Sequence, residues 1–129
     1  MRKPPKFRSK FEQSFFKSLP ADSVEYESVK LKYVIPASNH TYTPDFHIPS
    51  TNIWIETKGI WSQADREKML LIKEQHPDKR IIMVFMKANC PIRKGSKTTV
   101  SAWAEKNGLE WMTVQEAQEL VKLSIVQGS

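Results

Sequence analysis

"TYTPDFHIPSTNIWIETKG", Thr41 to Gly59, has the pattern of a single β-hairpin and carries two acids, Asp45 and Glu56. Taking Pro49-Ser50-Thr51-Asn52 as the turn pairs Ile48 with Ile53, His47 with Trp54, Phe46 with Ile55 and Asp45 with Glu56. Side chains alternate across a strand. Asp45, His47, Trp54, Glu56 and Lys58 therefore share one face, while Phe46, Ile48, Ile53 and Ile55 share the other and define a core side. A slip of one residue would turn those four apolar side chains into water, which argues for this register. The register sets two carboxylates opposite one another. Like charges opposed across a ladder destabilise a sheet, and neighbouring carboxylates resist ionising together, so a cation belongs between them. Lys58 supplies one as a plain salt bridge. A hard divalent cation is the alternative, since Mg²⁺ takes oxygen ligands, often one or two carboxylates with waters and phosphate completing its shell. Spacing alone leaves both open. In the second case Lys58 is free to face a phosphate or an attacking water, and the group becomes a site for phosphodiester hydrolysis.

The elements around the hairpin follow from periodicity and caps. At 129 residues the chain has room for one domain with a modest core. Phe7, Phe11, Phe15 and Leu19 recur every fourth residue and line one face of a helix from about Lys10 to Leu19. Ser9 and Glu12 fit the capping box, in which each side chain satisfies a backbone N–H of the other, and that is the structural role open to Glu12. Val24 to Ile35 alternates loosely and predicts one or two strands ended by Pro36. After the hairpin, Ser62 caps a helix reaching about His76, with Asp65 in its first turn and Pro77 as its stop. "IIMVFM", Ile81 to Met86, is too apolar to alternate and predicts a central strand covered on both faces. Lys87 to Lys97 reads as a basic loop, Thr99 to Asn107 as a helix stopped by Gly108, and Leu109 to Met112 as a short strand. Thr113 with Glu116 caps a last helix to about Leu123. This order predicts an α/β fold, a mixed central β-sheet flanked by helices.

Twenty Lys and Arg against 14 Asp and Glu give a net charge of +6 and a pI near 9.5. A polyanion is the first partner to consider, with a merely basic domain as the bland alternative. Arg2, Lys3, Lys6, Arg8 and Lys10 crowd around Pro4 and Pro5, which makes residues 1–9 a basic arm. With Arg66, Lys73, Arg93, Lys94 and Lys97 they are candidate phosphate contacts, each individually weak because exposed cations usually only solvate a face. Cys90 is the single cysteine and reads as a small apolar filler. No apolar run approaches membrane-spanning length and no hydrophobic signal region follows Met1-Arg2-Lys3, so the expected setting is the reducing cytoplasm, with no membrane partner.

Pro44-Asp45 followed by Glu56-Thr57-Lys58 is the Pro-Asp, Glu-x-Lys pattern of a large nuclease superfamily that includes restriction and repair enzymes. The flanks are more specific: "YVIPASNHTYTPDF" (Tyr33 to Phe46), "ETKG" (Glu56 to Gly59) and "LLIKEQHP" (Leu70 to Pro77) resemble the endonuclease I family of the T-odd bacteriophages, which resolves branched DNA. The resemblance spans about Arg8 to Gly108. It implies a restriction-endonuclease-like core and a Mg²⁺-dependent endodeoxyribonuclease that cuts four-way Holliday junctions by paired hydrolysis. Mn²⁺ would substitute, with two ions per active site and no small-molecule cofactor. Asp45, Glu56 and the backbone carbonyl of Thr57 would hold the first metal, Glu12 with Asp45 the second, and Lys58 would be the catalytic lysine. Glu12 thus has two competing roles, cap and ligand. His47 takes no catalytic role.

The resemblance further implies a phage-encoded or prophage-like protein acting in a bacterial host, and an intertwined, domain-swapped homodimer. In that dimer the first helix and strand of one chain complete the active site of the other. Residues 34–41 match the bridge between lobes, where Pro36, with no N–H and a fixed φ, suits an extended crossing. Two sites about a two-fold axis suit the paired nicks that a junction requires. The C-terminus departs from the family: "LVKLSIVQGS" carries Lys122 alone where a basic tail is expected. Base reading is not evident, so the selectivity expected is for DNA shape. Two alternatives share part of this pattern. A sequence-specific or transposon-end nuclease would use the same chemistry, and a non-catalytic nucleic-acid-binding module would explain the charge but not two acids and a lysine facing one way.

Overall fold

Residues 6–35 and 38–127 are described by a computed structural model. They form α1 (Lys10–Lys17), β1 (Glu25–Tyr26), β2 (Leu31–Ile35), β3 (Ser38–Tyr42), β4 (Phe46–Ile48), β5 (Ile53–Lys58), α2 (Gln63–Gln75), β6 (Arg80–Phe85), α3 (Val100–Lys106), β7 (Glu110–Thr113) and α4 (Val114–Gln127). Five strands make one sheet in the order β1-β4-β5-β6-β7. Its β1-β4-β5 side is antiparallel and its β5-β6-β7 side parallel, so the sheet is mixed, as the element order predicts.

The hairpin adopts the register set by its apolar alternation, Phe46↔Ile55, His47↔Trp54 and Ile48↔Ile53. Its turn closes through the N–H groups of Thr51 and Asn52, which donate to the Ile48 carbonyl at 3.3 and 2.8 Å, with Asn52 at φ 58°. Phe46, Ile48, Ile53 and Ile55 join Ile82 and Val84 of β6 to form one core beneath Phe15 of α1 and Ala117 and Val121 of α4. The opposite face is also covered. There Met83 and Phe85 pack with Met69 and Ile72 of α2, Ala104 of α3, and Leu31, Tyr33 and Tyr42 of a separate β2-β3 hairpin. Two-sided burial explains why β6 shows no alternation. It also closes over the face expected to be polar, where Trp54 is 4% exposed under a stacked His47 ring and the Lys79 ammonium.

Several boundaries differ from expectation for local reasons. The first helix ends at Lys17, two residues early, because the last turn tightens ahead of Pro20: the Ser18 N–H donates to the carbonyls of Ser14 and Phe15, and the Leu19 N–H to that of Phe16. The expected strand region at Val24 to Ile35 splits at Glu27, whose φ of 48° breaks the extended run. The last helix continues past Leu123 to Gln127, with Ser124 buried and its hydroxyl donating to the Leu120 carbonyl. The described residues of the expected bridge, 34–41, pair with one another within this chain: Val34 with Asn39 and Ile35 with Ser38. Pro36 itself lies outside the described residues. Gln75 of α2 clamps the outer rung, donating to and accepting from the Val34 backbone at 2.7 Å each.

Because β5 and β6 run parallel, with Lys58 beside Phe85, their C-terminal ends meet at one end of the sheet. Residues 59–62 and 86–99 leave from that same end.

Candidate metal and nucleic-acid site

Asp45 sits immediately before β4 and is 8% exposed. Asp45 and Glu56, expected as a cross-strand pair, lie just beyond the last ladder pair, Phe46↔Ile55, and meet through backbone amides. The Asp45 N–H donates to Glu56 Oε1 at 3.2 Å, while Asp45 Oδ2 accepts from the Thr57 N–H at 2.9 Å and the Thr57 hydroxyl at 2.7 Å. Two donors on one oxygen hold the Asp45 carboxylate in a single orientation.

Glu12 reaches the same place from α1. Ser9 caps the helix by accepting the Glu12 N–H at 3.1 Å, but the reciprocal half of the capping box is absent. Instead Glu12 Oε1 accepts the Arg8 N–H at 3.0 Å and the Tyr26 hydroxyl at 2.7 Å. The side chain is thereby carried one residue past the cap and held toward the hairpin, so cap and site residue are compatible roles.

Glu27 is the member that reading the sequence missed. A strand reading leaves it one more acid in an exposed alternation. Its left-handed backbone, a conformation that costs a non-glycine residue energy, reverses that expectation, and its N–H donates to the Asp45 carbonyl at 2.8 Å. Glu12, Glu27 and Asp45 each present a carboxylate oxygen, and these atoms all lie within 4.8 Å of one another. The cluster could hold a metal ion. The available signal was the break in apolar alternation at Glu25-Tyr26-Glu27, which marks a bend without showing its direction.

The electrostatics favour a cation here. Burial pushes the Asp45 carboxyl up to about 6 from 3.8; the two Thr57 bonds oppose this and Glu12 reinforces it. Glu56, 5% exposed, is raised well above the ordinary range by burial first and then by the charge of Asp45, with Lys58 pulling the other way. Burial also raises the Tyr42 phenol, with Glu56 and Asp45 adding to it. Lys58 Nζ stands 3.9 Å from Glu56 Oε2 and 3.6 Å from Asp65 Oδ2, outside tight hydrogen-bond distance of either. A single lysine so placed does not neutralise the group. Hard oxygens without sulfur or imidazole are a donor set for Mg²⁺ or Mn²⁺.

The predicted phosphate contacts divide. Arg93, Lys94 and Lys97 are exposed on the loop that leaves the Lys58 end of the sheet, and Lys6 and Lys10 are exposed beside α1. Arg2 and Lys3 lie outside the described residues. Lys73 is near the far end of α2, where its ammonium bonds the Gly108 carbonyl beside a cleft of about 280 Å³ shared with Lys79 and Arg80. Arg66 corrects the expectation outright: it is 6% exposed, stacks over Trp103 and donates to the carbonyls of Trp61 and Ile92 at 2.7 and 3.3 Å. Its helical position faces the second core, so its guanidinium ties the ends of loops together and is not offered to solvent. His47 bonds Glu25 and Asn52 at the surface, which accounts for both ring nitrogens.

Compared with known proteins, the sequence matches the phage endonuclease I family over residues 1–126. It is 47% identical over 113 residues to endonuclease I of Escherichia phage T7, covering 86% of this chain and 75% of that protein. It is 46% identical over 105 residues to endodeoxyribonuclease 1 of Enterobacteria phage T3, covering 80% of this chain and 68% of that protein.

Proposed function

The chain belongs to the phage endonuclease I family, and we propose that it is a divalent-metal-dependent endodeoxyribonuclease that resolves four-way DNA junctions by paired phosphodiester hydrolysis. The observation that carries this reading is the convergence of Glu12, Glu27 and Glu56 on a fixed Asp45, with Lys58 at the same end of the sheet.

Asp45 and Glu56, with the Thr57 carbonyl, would hold one Mg²⁺ or Mn²⁺, and Asp45 with Glu12 and Glu27 a second. Ions held there supply Lewis-acid activation of water and neutralise charge on the scissile phosphate. The protein's own groups do the rest. Thr57 fixes Asp45, and Tyr26 fixes Glu12, so neither carboxylate must reorient during the reaction. The Lys58 ammonium, loosely placed between Glu56 and Asp65, is free to turn to a phosphate oxygen or the attacking water. Lys6, Lys10, Arg93, Lys94 and Lys97, all exposed, would contact the DNA backbone, which carries no base information.

The working assembly is a homodimer with two such sites, acting in the cytoplasm of a bacterial host. Exchange between chains would reuse contacts that a single chain already makes. If β2 and β3 part within one chain, α1, β1 and β2 can make on a partner the contacts they make within one chain. The deciding experiment compares a four-way junction with a linear duplex of the same sequence, in Mg²⁺ and in EDTA. Paired nicks in the junction alone, absent in EDTA, are expected. Equal cutting of the linear duplex would point to a sequence-reading nuclease.

Stability reports the same site. A carboxyl whose folded pKa is raised binds its proton more tightly in the native state, so the stability that Asp45 contributes is fullest below pH 3.8 and is lost as pH rises through about 6. Above that window the ionised acids repel, and a bound divalent ion relieves the repulsion. Mg²⁺ or Mn²⁺ at about a hundred times its dissociation constant should raise the melting temperature by roughly 5–10 °C at pH 8 and by almost nothing at pH 4.5. An equal rise at both pH values would place the ion elsewhere.

A further inference from the structure

Among the described residues, the cation paired with a member of the Glu12, Glu27 and Asp45 cluster is Arg8. Its Nε lies 3.0 Å from Glu27 Oε2, and its backbone N–H donates to Glu12 Oε1 at 3.0 Å. The Arg8 side chain is 77% exposed while that of Glu27 is 22% exposed, so the guanidinium reaches in from solvent to cover a partly buried acid. It stands just ahead of Ser9, the N-cap of α1, at the end of the basic arm.

We infer that Arg8 is an exchangeable stand-in for the metal: it neutralises Glu27 while no divalent ion is bound, and on release its guanidinium contacts a DNA phosphate. The inference rests on the metal reading above. The single negative charge of Glu27 cannot serve both a guanidinium and a divalent ion at full strength, and the same guanidinium face cannot serve both Glu27 and a phosphate. Metal and DNA therefore each remove the contact that opposes the other, and their binding is positively coupled, by the same factor in both directions. The main-chain bond from Arg8 to Glu12 does not involve the side chain, so the residue stays anchored while the guanidinium swings. An exposed ion pair sets the scale of the coupling at about two- to fivefold.

Two measurements on the full-length protein test this. In calorimetric titration of Mn²⁺ without DNA, Arg8→Ala should bind the ion about two- to fivefold more tightly than wild type. Arg8→Gln should do the same, guarding against a folding defect in either variant. Lys10→Ala, which removes a nearby charge without touching Glu27, should change affinity less than about twofold. In EDTA, Glu27→Gln should tighten binding to a four-way junction, and the gain should shrink in the Arg8→Ala/Glu27→Gln double variant, since a cycle isolates the pair. Unchanged or weaker Mn²⁺ binding in both Arg8 variants, or an equal gain in Lys10→Ala, overturns the stand-in role while leaving the metal site intact. A wild-type chain that takes up no Mn²⁺ overturns the metal reading itself, and this inference with it.

Discussion

Asp45→Asn should abolish metal-dependent cleavage, by about a thousandfold or more, while junction binding persists and the protein becomes more resistant to heat at pH 8. The asparagine oxygen still accepts from Thr57, so the loop before β4 keeps its shape. What disappears is the charge on which Glu12, Glu27 and Glu56 converge. Lewis-acid stabilisation is worth several kcal/mol, and each 1.36 kcal/mol is about a factor of ten in rate, which sets the expected loss. The same change removes a buried charge held among like charges, so the apo protein should gain stability above pH 6, where wild-type Asp45 is ionised. The basic surface is untouched, and one fewer negative charge lies near the phosphates. Gel-shift, nicking and melting measurements on one preparation check all three. Cleavage at the wild-type rate would sink the site assignment, and loss of junction binding would mean that Asp45 supports the DNA surface.

The opposition of stability and activity at Asp45 bears on what was legible in the sequence. The hairpin was legible because four apolar residues tolerate only one register, and Asp45, Glu56 and Lys58 came with it. The covered faces of β6 were legible from an unbroken apolar run. Glu27 was not, because its part in the cluster depends on a left-handed backbone that nothing in Glu25-Tyr26-Glu27-Ser28 demands; the conformation is held by the bond to the Asp45 carbonyl, a contact 18 residues away. Arg66 failed for the opposite reason. A cation in a helix reads as surface, and only the packing of loops 59–62 and 86–99 over α2 makes carbonyls available to bury it. Glu12 was half legible: Ser9 marks the cap, but Tyr26 and Arg8 decide where the carboxylate points. Local pattern set the scaffold, and the rest of the site came from contacts between segments far apart in the chain.

Mixing two inactive variants should restore activity if chains exchange their first elements. In a single chain Glu12 of α1 meets Asp45, and in the segment linking them β2 pairs antiparallel with β3. When β2 and β3 part within each chain and pair between two chains, each site takes Asp45, Glu56 and Lys58 from one chain and Glu12 from the other. Glu12→Gln should fold normally, because the amide oxygen still accepts from the Arg8 N–H and the Tyr26 hydroxyl, yet lose most cleavage with the charge. Refolding it with Asp45→Asn then produces heterodimers in which one composite site carries neither substitution and the other carries both. The expected result is the return of nicking on one strand of a junction without efficient paired cuts, from two proteins each inactive alone. Sites built within single chains give a different outcome. Every site in the mixture then keeps one defect, nothing is recovered, and the exchange between chains is ruled out.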